Sequence, residues 1–495
     1  MTFDLSLTPA DLLLMLPEIW VTIWICVVLC VNFLFPRLTT RDIAWLSVGG
    51  MGVALGFLIW YDAAGTGGVL FKGMFVLDRL ALFFKIFVVS AGILVILSSI
   101  DFVGRFKFFK AEYYFLVMMT VLAMMFMASA NDLLSVFVTL EFASFGFYVL
   151  VPYLREDLRS SEAGLKFFIL GVFAAAMLVF GISLVYGETG QLIFSEMAEA
   201  PIDLTPGLAV GWTLIIAALG FKIGAAPLHS WIPDTYHGAP TPVTAFLSIA
   251  PKGAAFAILL RMLFSTLPGF KPEWVWLMIG TAILSMLYGN IVAIAQRNIK
   301  RLLAYSGIAQ IGTILIGMAA GTRQGADSVL FYLLTYLFAN LGAFAVVIAF
   351  SQSTNSDEIE DYSGLNRRSP FLAFSMLVFL LSLAGVPPLA GFIGKLYVFV
   401  AAIHEGLYTL ITVGLISIII SMYYYLIVVK NMYINEPADP APIFVPGPLK
   451  AVIFISLAGT VILGVWPQPF MAFAVGATGI FSHLGPTSLV SVLPF

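Results

Sequence analysis

Six ionisable side chains stand inside otherwise apolar stretches of this sequence: Lys85, Glu141, Lys166, Lys222, Lys252 and Lys395. A charge at the centre of a bilayer costs about 2.5–3.5 kcal/mol on insertion scales, so each such residue needs a partner or a purpose. Burial disfavours the charged form of a lysine or a carboxylate, and a nearby opposite charge restores it. A glutamate and a lysine in a hydrated path can therefore trade protons as their surroundings change. Glu141, alone within "LLSVFVTLEFASFGFYVL", and Lys222, in "LGFKIGAAPLHSWIPDTYHGAPTPVTAF", are the first candidates for such a pair. Lys252 follows Pro251 in "FLSIAPKGAAFAILL", and Lys395 lies just past a proline pair in "GVPPLAGFIGKLY". Lys166, about a turn and a half inside its apolar run, suits either a relay or a snorkelling ammonium. Lys85, near the start of its run, is expected to snorkel to the interface. His229 and His237 flank the first break, after Pro227; an imidazole there could relay protons or simply hydrogen-bond. Asp132, before an apolar run, reads as a helix N-cap.

The elements that must hold these groups follow from composition. Hydrophobic residues make up 61% of the 495 and charged residues 10%, against roughly 45–50% and about 25% in soluble domains. A span needs about 20 apolar residues. The apolar runs then give fourteen spans, at roughly 11–35, 43–61, 78–100, 113–129, 133–154, 161–187, 207–226 with a continuation to 237, 241–264, 274–296, 299–320, 328–350, 371–403 with a break inside, 407–430 and 450–466. The expectation is an all-α integral membrane protein of one polytopic domain. The first 20 residues lack the basic region and cleavage site of a signal peptide. The net charge of −3 gives no reason to expect nucleic acid.

The basic residues fix an orientation. Connections after odd-numbered spans hold fourteen Lys and Arg, among them Arg37, Arg41, Arg105, Lys107, Lys300, Arg301, Arg367 and Arg368; those after even-numbered spans hold five, including Arg261 and Arg323. Positive-inside bias then places the odd connections in the cytoplasm and both termini in the periplasm.

A repeat lies in the breaks. "GAAPLHSWIPDTY" (224–236) aligns without gaps on "GVPPLAGFIGKLY" (385–397), bringing Pro227 opposite Pro388, beside Pro387. The copies are five spans apart, so they enter the membrane from opposite sides. Paired Gly/Pro-interrupted spans are the best sequence pointer to a transporter's site. The lysines are not equivalent: Lys395 aligns with Asp234 and Lys222 with Leu383.

Other chemistries are excluded. Cys26 and Cys30 share a helix face with no ligating neighbours, too few for zinc or an iron–sulfur cluster. "GGMGVALG" (49–56) sits inside a span and reads as small-residue helix packing, not a nucleotide loop. No cofactor is expected on this chain.

"GFKIGAAPLHSWIPDTYHGAPTPVTAFLSIAPKGAAFAILLR" and "RNIKRLLAYSGIAQIGTILIG" resemble the antiporter-like membrane subunits of proton-pumping NADH:quinone oxidoreductase, respiratory complex I, over nearly the whole chain. The form "SIAPKGAAF" is nearer the N-type members than the L or M types. The resemblance implies inverted five-helix repeats, spans 4–8 and 9–13, with broken helices 7 and 12. That divides the chain at about 1–105, 106–265, 270–432 and 433–495. It also implies a proton relay through Glu141, Lys166, Lys222, Lys252 and Lys395. FMN, iron–sulfur clusters and quinone would belong to other subunits, and the partners would be neighbouring membrane subunits and lipid. A bacterial inner membrane is expected, with a mitochondrial one as the alternative. A stand-alone or Mrp-type cation/proton antiporter subunit is the competing function, and a structural subunit without a proton path is a third.

Overall fold

In hydrocarbon the backbone must satisfy itself, which leaves the helix as the way for one chain to cross repeatedly. The computed structural model describes residues 9–105, 110–199, 204–437 and 439–484. Both chain ends and Lys107 therefore lie outside the described residues. The spans are α1 (Leu16–Leu34), α2 (Thr40–Ala64), α3 (Arg79–Val103), α4 (Lys110–Ser129), α5 (Leu133–Leu150), α6 (Leu158–Thr189), α7a (Pro206–Ile223) with α7b (Trp231–Gly238), and α8 (Thr241–Arg261). The second half adds α9 (Lys271–Ile294), α10 (Ile299–Ala320), α11 (Arg323–Thr354), α12a (Pro370–Ala384) with α12b (Ala390–His404), α13 (Tyr408–Tyr433) and α14 (Gly447–Val465). Among the described residues thirteen helices are long and apolar enough to cross a membrane, and the α12a–α12b pair supplies the fourteenth crossing. One small departure from all-α is a hairpin between α2 and α3, where β1 (Gly68–Leu70) pairs antiparallel with β2 (Phe75–Leu77).

Ion pairs between connections respect the count. Among the described residues, Lys300–Asp357, Arg301–Asp234 and Arg367–Glu436 join the odd-numbered side, while Arg261–Asp78 and Lys271–Glu405 join the even-numbered side. No such pair mixes the two, as fourteen crossings require.

The inverted repeat is visible in the caps. Asp132 caps α5 by accepting from Leu134 N and Ser135 N, as its position in the sequence suggests. Asn298 caps α10 in the same way, accepting from Lys300 N and Arg301 N. Each also forms an isolated antiparallel bridge to the connection after the next helix, Asp132 to Ile193 and Asn298 to Glu358. The same device thus stands on opposite sides of the membrane.

Burial places the core. α10 is buried along its whole length, α8 and α11 nearly so, while α1 and α6 leave most of their surface uncovered by the rest of the chain. Cys26 and Cys30 lie on the exposed face of α1. Of the glycines in "GGMGVALG", Gly50 is the one that packs: a Cβ there would sit 1.8 Å from the Trp24 ring, whereas Gly49, Gly52 and Gly56 face open space.

Both breaks end on a left-handed glycine, Gly224 at φ 78° and Gly385 at φ 92°, followed by a cis X–Pro bond. That conformation stops a helix at little cost only for glycine. The backbone freed by each break is largely re-bonded. Ala226 N donates to Ser285 Oγ at 2.8 Å in the first, and Gly391 N to Ser382 Oγ at 3.0 Å in the second.

Candidate proton-relay site

Lys222 occupies the last turn of α7a, where the helix stops at Gly224. Its Nζ donates to Ser144 Oγ at 2.7 Å and lies 3.3 Å from Glu141 Oε1. Glu141 and Ser144 are three apart on α5 and so share a face; the Ser144 hydroxyl donates in turn to the Leu140 carbonyl. The proposed partners therefore stand together. Beside them a cavity of about 30 Å³ is lined by Ser144, Lys222, Trp231 and Pro251, above the roughly 10–15 Å³ that a water needs. It lies between Lys222 and the turn of α8 that carries Lys252.

Lys252 is 1% exposed and its Nζ has no hydrogen-bond partner among the described residues. The rings of Tyr236 and Tyr336 face it at 5.8 and 5.9 Å, near the outer range of a cation–π contact. One turn earlier on α8, Ser248 Oγ accepts from Asn340 Nδ2 of α11 at 2.7 Å.

Lys395 is 4% exposed and donates to the Leu383 and Ala384 carbonyls at 2.8 and 3.0 Å. These are the last carbonyls of α12a, which have no partner within the helix. Gln310 Nε2 also donates to Leu383 O, at 2.7 Å, and Gln310 Oε1 accepts from Tyr332 at 2.5 Å. Tyr332 and Tyr336 are one turn apart on α11. Polar groups thus run from Lys252 past Tyr336, Tyr332 and Gln310 to Lys395 through the most buried part of the protein.

Lys166 sits apart from that row. It is about half exposed, with its Nζ 2.8 Å from Glu162 and 2.9 Å from Asp234. The other oxygen of Asp234 accepts from Arg301 at 2.9 Å. Arg159, Glu162, Lys166, Asp234 and His237 line a polar recess of about 70 Å³ at the odd-numbered side. His229 is buried against the Tyr288 ring, centroids 4.3 Å apart.

The structure corrects Lys85. Instead of snorkelling it is fully buried and pairs with Glu18 of α1 at 2.6 Å. α1 and the hairpin cover that face of α3, and the Phe75 ring lies 4.7 Å from the amine. Glu18 was not singled out because "PEIW" opens an apolar run, where a carboxylate reads as an ordinary first-turn residue. Arg261 and Lys300, counted as loop cations, are also buried. Arg261 forms two hydrogen bonds to Asp78, at 2.6 and 2.9 Å, and Lys300 lies 3.2 Å from Asp357. Gln310 was missed too, although a lone amide in "AYSGIAQIGTILIG" is a legible signal of a buried polar contact.

The family model described as NADH:quinone oxidoreductase/Mrp antiporter, TM, matches residues 130–421, a stretch that holds Glu141, both breaks and Lys395. The chain belongs to that family. It is 43% identical over 447 residues to NADH-quinone oxidoreductase subunit N of Desulforamulus reducens, covering 90% of this chain and 93% of that one. The subunit of the same name from Rhodospirillum rubrum is 41% identical over 468 residues, covering 94% of this chain and 95% of that one. Among solved structures, a chain of respiratory complex I from Thermus thermophilus with bound aureothin superposes at a TM-score of 0.80 with 31% identity, over 93% of this chain and all of that one. A chain of the Mrp complex from Dietzia sp. matches at a TM-score of 0.86 but 20% identity, over 97% and 98% of the two chains, which speaks for a common fold alone.

Proposed function

We propose that this chain is a proton-translocating membrane-arm subunit of an NADH:quinone oxidoreductase. It would carry protons through Glu141–Lys222, Lys252 and Lys395 while redox chemistry runs on other subunits. The observation that carries the reading is a row of three lysines: Lys222, largely shielded beside the first break and paired with Glu141, Lys252, buried within α8, and Lys395, buried at the second break. An opposite charge favours the ammonium form of a lysine, and its withdrawal favours release. Parting Glu141 from Lys222 therefore hands a proton across the small cavity towards Lys252. Tyr336, Tyr332 and Gln310 continue the path to Lys395. The recess around Lys166, Asp234 and His237 supplies protons from the odd-numbered side, which the basic residues mark as cytoplasmic. His229, packed on Tyr288, stands at the first break outside this row. Flavin and iron–sulfur clusters belong to the rest of the complex, and neighbouring membrane subunits cover the apolar flanks. The chain resides in a bacterial inner membrane with both termini in the periplasm.

The test is proton uptake measured beside NADH oxidation in vesicles containing the complex. Lys222→Ala should assemble, pump poorly and slow coupled oxidation. Assembly with pumping at the normal ratio would show Lys222 to be a structural charge. An Mrp-type antiporter is the alternative, and failure to co-migrate with NADH dehydrogenase activity on a native gel would favour it.

A further inference from the structure

Arg37, Arg41 and Arg105 converge on an open recess of about 590 Å³ between the α1–α2 connection and the end of α3. Leu38, Thr39, Ile100 and Gly104 complete much of its wall, and Asp101 is the one carboxylate among its lining residues. Asp42, the next acid along, does not line the recess: Thr39 N and Oγ1 both donate to its Oδ2, at 2.8 and 2.7 Å, in the capping box of α2. Arg105 is held in place by donating to the Gln352 carbonyl at 3.0 Å. Among the described residues no carboxylate comes within ion-pair distance of any of the three arginines. Three guanidinium groups thus face one acid in a concave site at the membrane boundary.

The flank of the recess is apolar. Phe33, Leu34 and Phe35, at the end of α1, are 83%, 66% and 58% exposed, and Trp45 on α2 is 48% exposed. None of the proton-relay residues lies here, so the relay does not account for the cluster. A cationic cup with bare hydrocarbon-facing side chains beside it has the two-part chemistry of a phospholipid. Guanidinium forks match phosphate oxygens in paired hydrogen bonds, and basic pockets between spans at a membrane face bind anionic headgroups. We propose that Arg37, Arg41 and Arg105 hold the phosphodiester headgroup of an anionic phospholipid, with its acyl chains along the exposed end of α1 and Trp45. Inorganic phosphate shares the headgroup's oxygens but leaves the apolar flank uncovered.

The experiment uses the assembled complex in discs of phosphatidylcholine with a minority of phosphatidylglycerol of matched chains, read by native mass spectrometry of the released subunit. The wild-type subunit should retain phosphatidylglycerol over phosphatidylcholine. The R37Q/R41Q/R105Q variant should lose that preference, by roughly five-fold for each arginine neutralised. Should the triple variant fail to assemble, R41Q alone tests the same step. Equal retention of the two lipids by the wild type overturns the proposal, as does an unchanged preference in a variant that assembles. Displacement of the retained lipid by millimolar inorganic phosphate would make this a phosphate site and would also overturn it.

Discussion

The two helix breaks share a backbone and differ in what satisfies it. In the first, the indole of Trp231 donates to the Phe221 carbonyl at 2.9 Å, which leaves Lys222 to reach across to Glu141 and Ser144. In the second, the aligned residue is Phe392, which has no donor, and Lys395 itself bonds the terminal carbonyls of α12a. A helix C-terminus favours a cation, so Lys395 is tethered where Lys222 is available. One fold, repeated and inverted, thus yields a lysine that can change partner and a lysine that holds the break closed. The first suits proton exchange with a carboxylate; the second suits a gate.

The largest expected effect follows from that availability. Lys222→Ala should all but abolish pumping while the complex assembles, and Lys222→Arg should fare little better, because a guanidinium keeps the charge and does not deprotonate in proteins. Proton uptake beside NADH oxidation reads both. Normal pumping by the arginine variant would mean that the charge matters and its exchange does not, which would erase the contrast between the two breaks.

The Glu18–Lys85 pair sharpens the comparison from outside the repeats. At 2.6 Å it is sealed, and among the described residues neither Glu18 oxygen nor the amine has a further hydrogen bond. Glu141–Lys222, at 3.3 Å, has a hydroxyl and a cavity beside it. Removing one partner of a sealed pair leaves an uncompensated buried charge and costs about 3–5 kcal/mol, whereas an apolar replacement of both is often neutral. Lys85→Met and Glu18→Leu alone should therefore lower the melting temperature of the subunit in the complex. The double variant should recover most of that loss and pump normally. For Glu141→Gln with Lys222→Met, the complex should assemble as it does for Lys222→Ala, and pumping should stay lost. If the double variant at Glu18 and Lys85 assembles but pumps poorly, that pair belongs to the relay and not to the packing.

What the sequence showed and what it hid divide along the same physical line. Long apolar runs, Gly–Pro interruptions and lone charges are local, so fourteen spans, both breaks and the buried lysines could be read directly. Partners supplied by remote segments could not: Glu18 meets Lys85 across 67 positions, and Gln310 meets Leu383 across 73. Exposure was equally hidden. Lys166 and Lys85 each stand near the start of a span, yet α6 leaves Lys166 half exposed at the protein surface, while α1 and the hairpin bury Lys85. Glu141–Lys222 could be proposed because each was the most isolated charge in its run. The division of labour between Trp231 and Lys395 is not legible in the sequence, since it depends on which donor reaches which carbonyl in the folded chain.

Lys395 carries the next effect. Lys395→Ala leaves the Ala384 carbonyl without its side-chain donor and removes one of two from Leu383 O, which keeps Gln310. An unmade buried hydrogen bond costs about 1–3 kcal/mol, so this variant should both pump poorly and unfold at lower temperature than Lys222→Ala. Thermal unfolding of the two variants in the assembled complex makes the comparison directly. Equal melting temperatures would mean that Lys395 does not hold the break.

The smallest effect tests the other half of the contrast. Trp231→Phe gives the first break the aromatic residue found at the aligned position of the second and removes the indole donor. The Phe221 carbonyl still accepts from Gly224 N at 3.1 Å, so the loss should stay within the net worth of one hydrogen bond, about 0.5–1.5 kcal/mol. The ring itself packs against Phe167 and Phe221, contacts that a phenyl group largely keeps. If the indole only caps the carbonyl, the variant should melt slightly earlier and pump at an unchanged ratio. A pumping defect as deep as that of Lys222→Ala would instead mean that Lys222 had been drawn to the vacated carbonyl, away from Glu141, or that the indole itself orders water in the cavity they share. A Trp231→Phe, Ser144→Ala double variant separates these, because without Ser144 the amine loses its nearest acceptor on the Glu141 side and capture by the carbonyl should deepen the defect.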